Sequence, residues 1–113
     1  MKTIEITDEK YEEIKAQLGE DFKDINSYED LIGEKMFFRT VTYHALGEVK
    51  KIVGRFVYLK NASWVADTGR FSDFIGKGLQ TNTEIEYIKE MFLNLDTVVD
   101  IIRWTHKLPT ETK

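Results

Sequence analysis

The chain has 113 residues, enough for one globular domain. Its 42% hydrophobic and 32% charged content excludes whole-chain disorder, collagen and coiled coil. With no cysteine, disulfides, thiolate metal sites and thiol catalysis are excluded, and the net charge of −4 excludes an all-over basic surface.

The net figure conceals a division along the chain. Residues 1–34 hold 11 acids and 4 bases, residues 35–79 hold 3 acids and 8 bases, and residues 80–113 hold 6 acids and 4 bases. A local anion site in the middle segment is therefore permitted. Glu5 and Asp8 interrupt any signal-peptide core, and Asp100 cuts the longest apolar run. The expected location is cytoplasmic, with no membrane partner.

The first part reads as helical. Thr7 suits an N-cap, Asp8 and Glu9 suit the positive helix end, and Tyr11, Ile14 and Leu18 recur at helical spacing before Gly19. Ser27, with Asp30 three residues on, reads as a second cap, and Gly33 ends that turn.

The period then changes. Met36–Tyr43 is rich in aromatic and β-branched residues and reads as a strand. Gly47 is assigned to a turn. Glu48–Val53 and Arg55–Leu59 read as strands with Gly54 as a bend between them. Residues 61–69 read as a loop carrying Trp64. Phe71–Ile75 reads as one helical turn closed by Gly76 and Gly78. Thr83–Ile88 alternates as a strand, Glu90–Phe92 is ambiguous, Asn94-Leu95-Asp96 suits a turn, and Thr97–Thr105 is the best strand in the chain.

The expected fold is α+β. It is a small, strongly bent antiparallel sheet or five-to-six-stranded β-barrel preceded by an N-terminal helical segment. A single domain spans 1–113: an acidic helical segment at 1–34, a β-rich body at 35–109 and a tail at 110–113.

Catalytic signatures are weak. Gly76-Lys77-Gly78 lacks the spacing of a phosphate-binding loop. His44 and His106 lie far apart in sequence, and neither has a second ligand at helical spacing, so no metal is expected. Asp67-Thr68-Gly69 matches the aspartic-protease triplet. However, Arg70 follows it, most of the chain precedes it, and Ile101-Ile102 runs into Arg103 where that family needs glycine. A turn is the simpler reading. Ser63, Thr68 and Ser72 are nucleophile candidates by exposure only. No enzyme and no cofactor are expected.

The middle segment is more informative, because basic residues there interleave with aromatic ones. Most of the aromatics are assigned to the core, and so is Trp104. The exception is Trp64, which with Arg70 forms a candidate stacking-and-clamping pair. Asp67 and Thr68 lie between them, and Arg39, Lys60 and Lys77 supply secondary charges. The competing structural reading makes Trp64 a plug at one end of the barrel and pairs Arg70 with Asp67 or Asp73.

Phe38-Arg39-Thr40, Leu59-Lys60-Asn61-Ala62-Ser63-Trp64, Asp67-Thr68-Gly69-Arg70-Phe71, Asp100-Ile101-Ile102-Arg103-Trp104 and Leu108-Pro109 carry a resemblance. Over residues 33–109 the chain resembles small bacteriophage and prophage proteins with a short bent sheet or barrel. The resemblance implies expression in an infected bacterial cell and action by binding.

Three functions are therefore in view. The first is a non-enzymatic, phage-encoded binder that counters host defence by capturing a small anionic, nucleotide-like ligand, with a pocket that a homo-oligomer would complete. The second is an inhibitor of a host enzyme, acting through Glu12, Glu13, Glu20, Asp21 and Asp24 as a mimic of nucleic-acid charge. The third is single-stranded nucleic-acid binding on the sheet face.

Overall fold

The computed structural model describes residues 24–113. The expected helix over Thr7–Leu18, and Glu12, Glu13, Glu20 and Asp21 with it, lie outside the described residues. The chain divides after Asp30 into two units, which are taken separately.

In the described end of the first unit, the Asp30 amide donates to the Ser27 carbonyl at 3.1 Å. The Asp30 carboxylate in turn accepts from the Asn26 amide at 2.8 Å. The reach-back of a capping box is present, one residue earlier than the sequence predicts.

The second unit, Leu31–Lys113, contains five strands. They are β1 (Lys35–Thr40), β2 (His44–Val53), β3 (Phe56–Asp67), β4 (Glu84–Asn94) and β5 (Val98–Arg103). One helix, α1 (Phe71–Lys77), joins β3 to β4. The strands form one antiparallel sheet in the order β4-β3-β2-β1-β5.

That order forces curvature. In a flat sheet β4 and β5 would lie four strand spacings apart, roughly 19 Å. Yet only the 3-10 turn Leu95–Thr97 joins them, and four Cα steps reach at most about 14 Å. The sheet must therefore curl until its two edges approach at this end. No β4–β5 pairing exists among the described residues, so the strongly bent sheet is present but it is not a closed barrel.

Strand alternation sends side chains to two faces. On the inner face Met36, Phe38, Val49, Val57, Leu59 and Leu93 form one buried cluster. On the outer face Phe37, Leu46, Val65 and Ile85 pack beneath Phe74 of α1 and Trp104. Trp104 is a core residue, as its sequence context predicts, and its indole N–H donates to the Lys107 carbonyl at 3.2 Å.

Three element assignments are corrected. Residues 61–67 are not a loop but the second half of β3. The alternation changes phase there because Asn61 adopts a left-handed φ of 51°, and a bulge lies between Lys60 and Ala62. Leu59, Ala62 and Trp64 consequently all face inward. The ambiguous Glu90–Phe92 belongs to β4, which bulges at Lys89 (φ 76°) opposite Ala62. Gly47 is not in a turn; it pairs with Met36 inside the sheet. The turn between β1 and β2 is residues 41–43.

Gly78 closes α1. Its amide donates to the Phe74 carbonyl at 3.0 Å, with φ 90° and ψ −154°. Only glycine adopts that region readily. A β-carbon there would also meet the His106 ring at 3.3 Å. Gly78→Ala is expected to lower stability by about 1–3 kcal/mol, measured by urea unfolding. Gly76, where no atom lies within 4 Å of an added β-carbon, should tolerate the same change far better.

Candidate nucleic-acid interface

The outer face is covered by α1 and Trp104 over only part of its area. Beyond that cover it is solvent-facing, and the register explains what it displays. Val57 and Leu59 point into the core, so Phe56, Tyr58 and Lys60 point out. Lys51 of β2 and Phe92 of β4 are both direct cross-strand neighbours of Tyr58.

These neighbours meet. The Tyr58 and Phe92 rings stack at 4.7 Å with an interplanar angle of 30°. Phe92 is 55% exposed and Phe56 42%. The Lys51 and Lys60 ammonium groups stand 5.6 and 5.9 Å from the centre of the Tyr58 ring. The result is an aromatic platform with a cation on either side. Cation–π attraction holds the lysines near the rings without neutralising them.

Glu90 tempers the platform. Its carboxylate accepts a hydrogen bond from the Tyr58 hydroxyl and lies 3.9 Å from Lys60. That hydrogen bond holds the Glu90 carboxyl below its ordinary pKa and raises that of Tyr58. Glu90 therefore stays charged where an approaching phosphate would meet it. Residues 31–113 as a whole carry twelve Lys and Arg against ten Asp and Glu, so this unit is mildly basic.

Of the residues expected to bind ligand only Lys60 lies on the platform; Trp64 and Asp67 line one groove on the other face, and the rest are dispersed. Trp64 is half-buried on the inner face, edge-to-face with Tyr43 at 6.2 Å. Arg70 is the exposed residue preceding α1, and neither groove that Trp64 lines includes it. Asp67 accepts the Gly69 amide at 2.9 Å, and the Thr68 hydroxyl donates to the Gly69 carbonyl at 2.7 Å. The Asp67-Thr68-Gly69 triplet is thus a turn. Lys77 lies 3.8 Å from Asp73 within α1. Ser63 is buried, so its proposed exposure is corrected: past the Asn61 bulge it faces the outer-face core.

Arg39 forms a two-pronged ion pair with Asp100, its β5 neighbour, at 2.8 and 2.5 Å. Its guanidinium also stands 5.1 Å from the Phe71 ring centre. Nearby, His44 accepts the Thr40 amide at 3.3 Å and meets the Phe37 ring edge-on. Burial, and then the Arg39 charge, push the His44 imidazole below its ordinary value of 6.5. The hydrogen bond from Arg39 holds the Asp100 carboxyl below its ordinary 3.8.

The two groups have separable pH signatures. As pH falls below about 6.5 the unfolded chain protonates His44 before the fold does, so stability declines there. Asp100 contributes stability above its unfolded value, and that is lost only as pH falls from about 4 through its lower folded value. Thermal melts of His44→Gln should lack the decline that begins near pH 6.5 and keep the more acidic one. An unchanged profile would place the titrating group elsewhere.

Tyr58, Phe92 and Lys51 were not singled out as a site from sequence. The signal was the contrast between aliphatic Val57 and Leu59 and the aromatic or basic Phe56, Tyr58 and Lys60 that alternate with them. Among the described residues no group of three His, Asp or Glu gathers as a metal site. None of their helices is long and apolar enough to cross a membrane. No protein-family model matches the chain, and no curated protein matches it at a significant level.

Proposed function

We propose that residues 31–113 are a non-enzymatic binding domain that holds single-stranded nucleic acid on the open outer face. The stacked pair of half-buried Tyr58 and exposed Phe92, flanked by Lys51 and Lys60, supports this reading above any other observation. Bases stack on such rings whatever their sequence, while lysines hold the intervening phosphates. A free nucleotide would be the same chemistry from another source. Sites for small ligands are usually concave, however, and this platform is a sheet surface. The resemblance of residues 33–109 to phage and prophage proteins would set such a binder in an infected bacterial cell.

Fluorescence anisotropy with a labelled oligothymidylate about 15 nucleotides long tests the proposal. The expected result is saturable binding whose log K falls linearly with log salt, with a slope of roughly −1.4 to −2 for two or three phosphate contacts. Competition should come from unlabelled single strands and not from mononucleotides. Efficient competition by a mononucleotide would shift the reading to small-ligand capture. No binding at about 25 mM salt would remove both.

A further inference from the structure

A second surface lies on the other side of β3. A groove of about 970 Å³ is lined by Tyr43, Trp64, Asp67, Glu84, Glu86 and Lys113, among others. The register builds it. Glu86 is the direct cross-strand neighbour of Trp64, and Glu84 is that of Asp67. Because Ile85 is buried in the outer-face core, Glu84 and Glu86 project to the opposite side. Tyr43, 58% exposed, stands edge-to-face with Trp64 to complete an aromatic wall. Neither Glu84 nor Glu86 is ion-paired to a described residue.

The groove already holds a cation of its own chain. The Lys113 ammonium donates to the Thr81 and Thr83 carbonyls at 3.0 and 3.4 Å. The Lys113 backbone also pairs with Ile85 of β4 through two hydrogen bonds, at 2.8 and 3.0 Å. The Tyr87 amide donates to the Thr112 hydroxyl at 3.2 Å. Thr112 and Lys113 are thus seated against β4 at one end of the groove. The Tyr43–Trp64–Glu86 end offers π faces and carboxylates to a further ammonium.

We infer that this groove binds an extended lysine-bearing peptide, one ammonium lying against the Tyr43 and Trp64 rings beside Glu84 and Glu86. Charge complementarity selects that partner: the groove holds three carboxylates and one ammonium, and the ammonium is engaged by backbone carbonyls. This site is separate from the nucleic-acid platform, and its test is independent of that reading.

The probe is acetylated, amidated pentalysine, followed by calorimetry and amide chemical shifts on the full chain. Saturable binding is expected, with shifts concentrated at Tyr43, Trp64 and Glu86. Tyr43→Ala should weaken it about threefold, and the double change Glu84→Gln with Glu86→Gln about tenfold. The control pair Glu48→Gln with Asp73→Asn makes the same charge change outside the groove and should alter affinity less than about twofold. All these side chains lie at the surface or only half-buried, so the fold survives each change. Equal weakening by the control pair, shifts spread over the whole surface, or no saturation would each overturn the assignment.

Discussion

Phe37→Ala is expected to cost about 3–5 kcal/mol of folding free energy. Phe37 is fully buried on the outer face of β1. Its ring meets Phe74 at 5.0 Å, His44 at 5.5 Å and Phe71 at 6.2 Å. It thus joins the sheet to the covering helix through two rings of α1. Truncation removes the ring's transfer energy and leaves a cavity beneath a seven-residue helix too short to hold its shape alone. At about 0.05–0.15 kcal/mol per residue, a unit of this size has roughly 4–12 kcal/mol in total. The variant should therefore lose a large part of its urea midpoint, and its near-UV signal should weaken. Phe92→Ala is the internal comparison. The residue type is the same but the ring is mostly exposed, and the cost should stay below about 1 kcal/mol. A loss of less than about 1 kcal/mol for Phe37→Ala would mean that α1 does not pack on the sheet through this ring.

The second large effect is on binding. Tyr58→Ala with Phe92→Ala should weaken oligothymidylate binding by roughly ten- to a hundredfold or more, because stacking contributes about 1–3 kcal/mol per base. The salt slope should remain, since Lys51 and Lys60 still meet phosphate. Lys51→Ala with Lys60→Ala should do the reverse: affinity falls and the slope flattens by about one to two. Glu90→Gln removes the one carboxylate that touches the platform, so it should tighten binding and steepen nothing. If the aromatic pair can be removed without loss while the lysines cannot, the surface is merely a charged patch. If neither pair matters, the nucleic acid binds elsewhere or not at all.

Much of the fold was legible in advance. β-branched and aromatic runs marked the strands, Asn94-Leu95-Asp96 marked the turn before β5, and Gly78 marked the end of α1. The failures at residues 61–67 and 90–92 share one cause. Asn61, bulged out of the pairing, and Lys89, which faces the neighbouring Ala62, each take a left-handed conformation and shift the alternation by one residue. A strand read from period alone therefore breaks at residue 61, which put Trp64 on a loop. Once there, it looked free to partner Arg70. In the sheet it lies on the inner face with the glutamates of β4 as neighbours.

The sequence by itself determined the sheet-rich character of the described residues, the absence of cysteine chemistry and the concentration of basic and aromatic residues in residues 35–79. These follow from composition and local propensity, which need no knowledge of what lies across a sheet. Only the tertiary structure decided which aromatics are buried and which are displayed. That choice depends on where α1 and Trp104 end their cover of the outer face and on how the bulges of β2, β3 and β4 set the register. Both are contacts between residues distant in sequence. Phe37 and Phe92 look alike in a composition count, yet one holds the helix on the sheet and the other faces solvent.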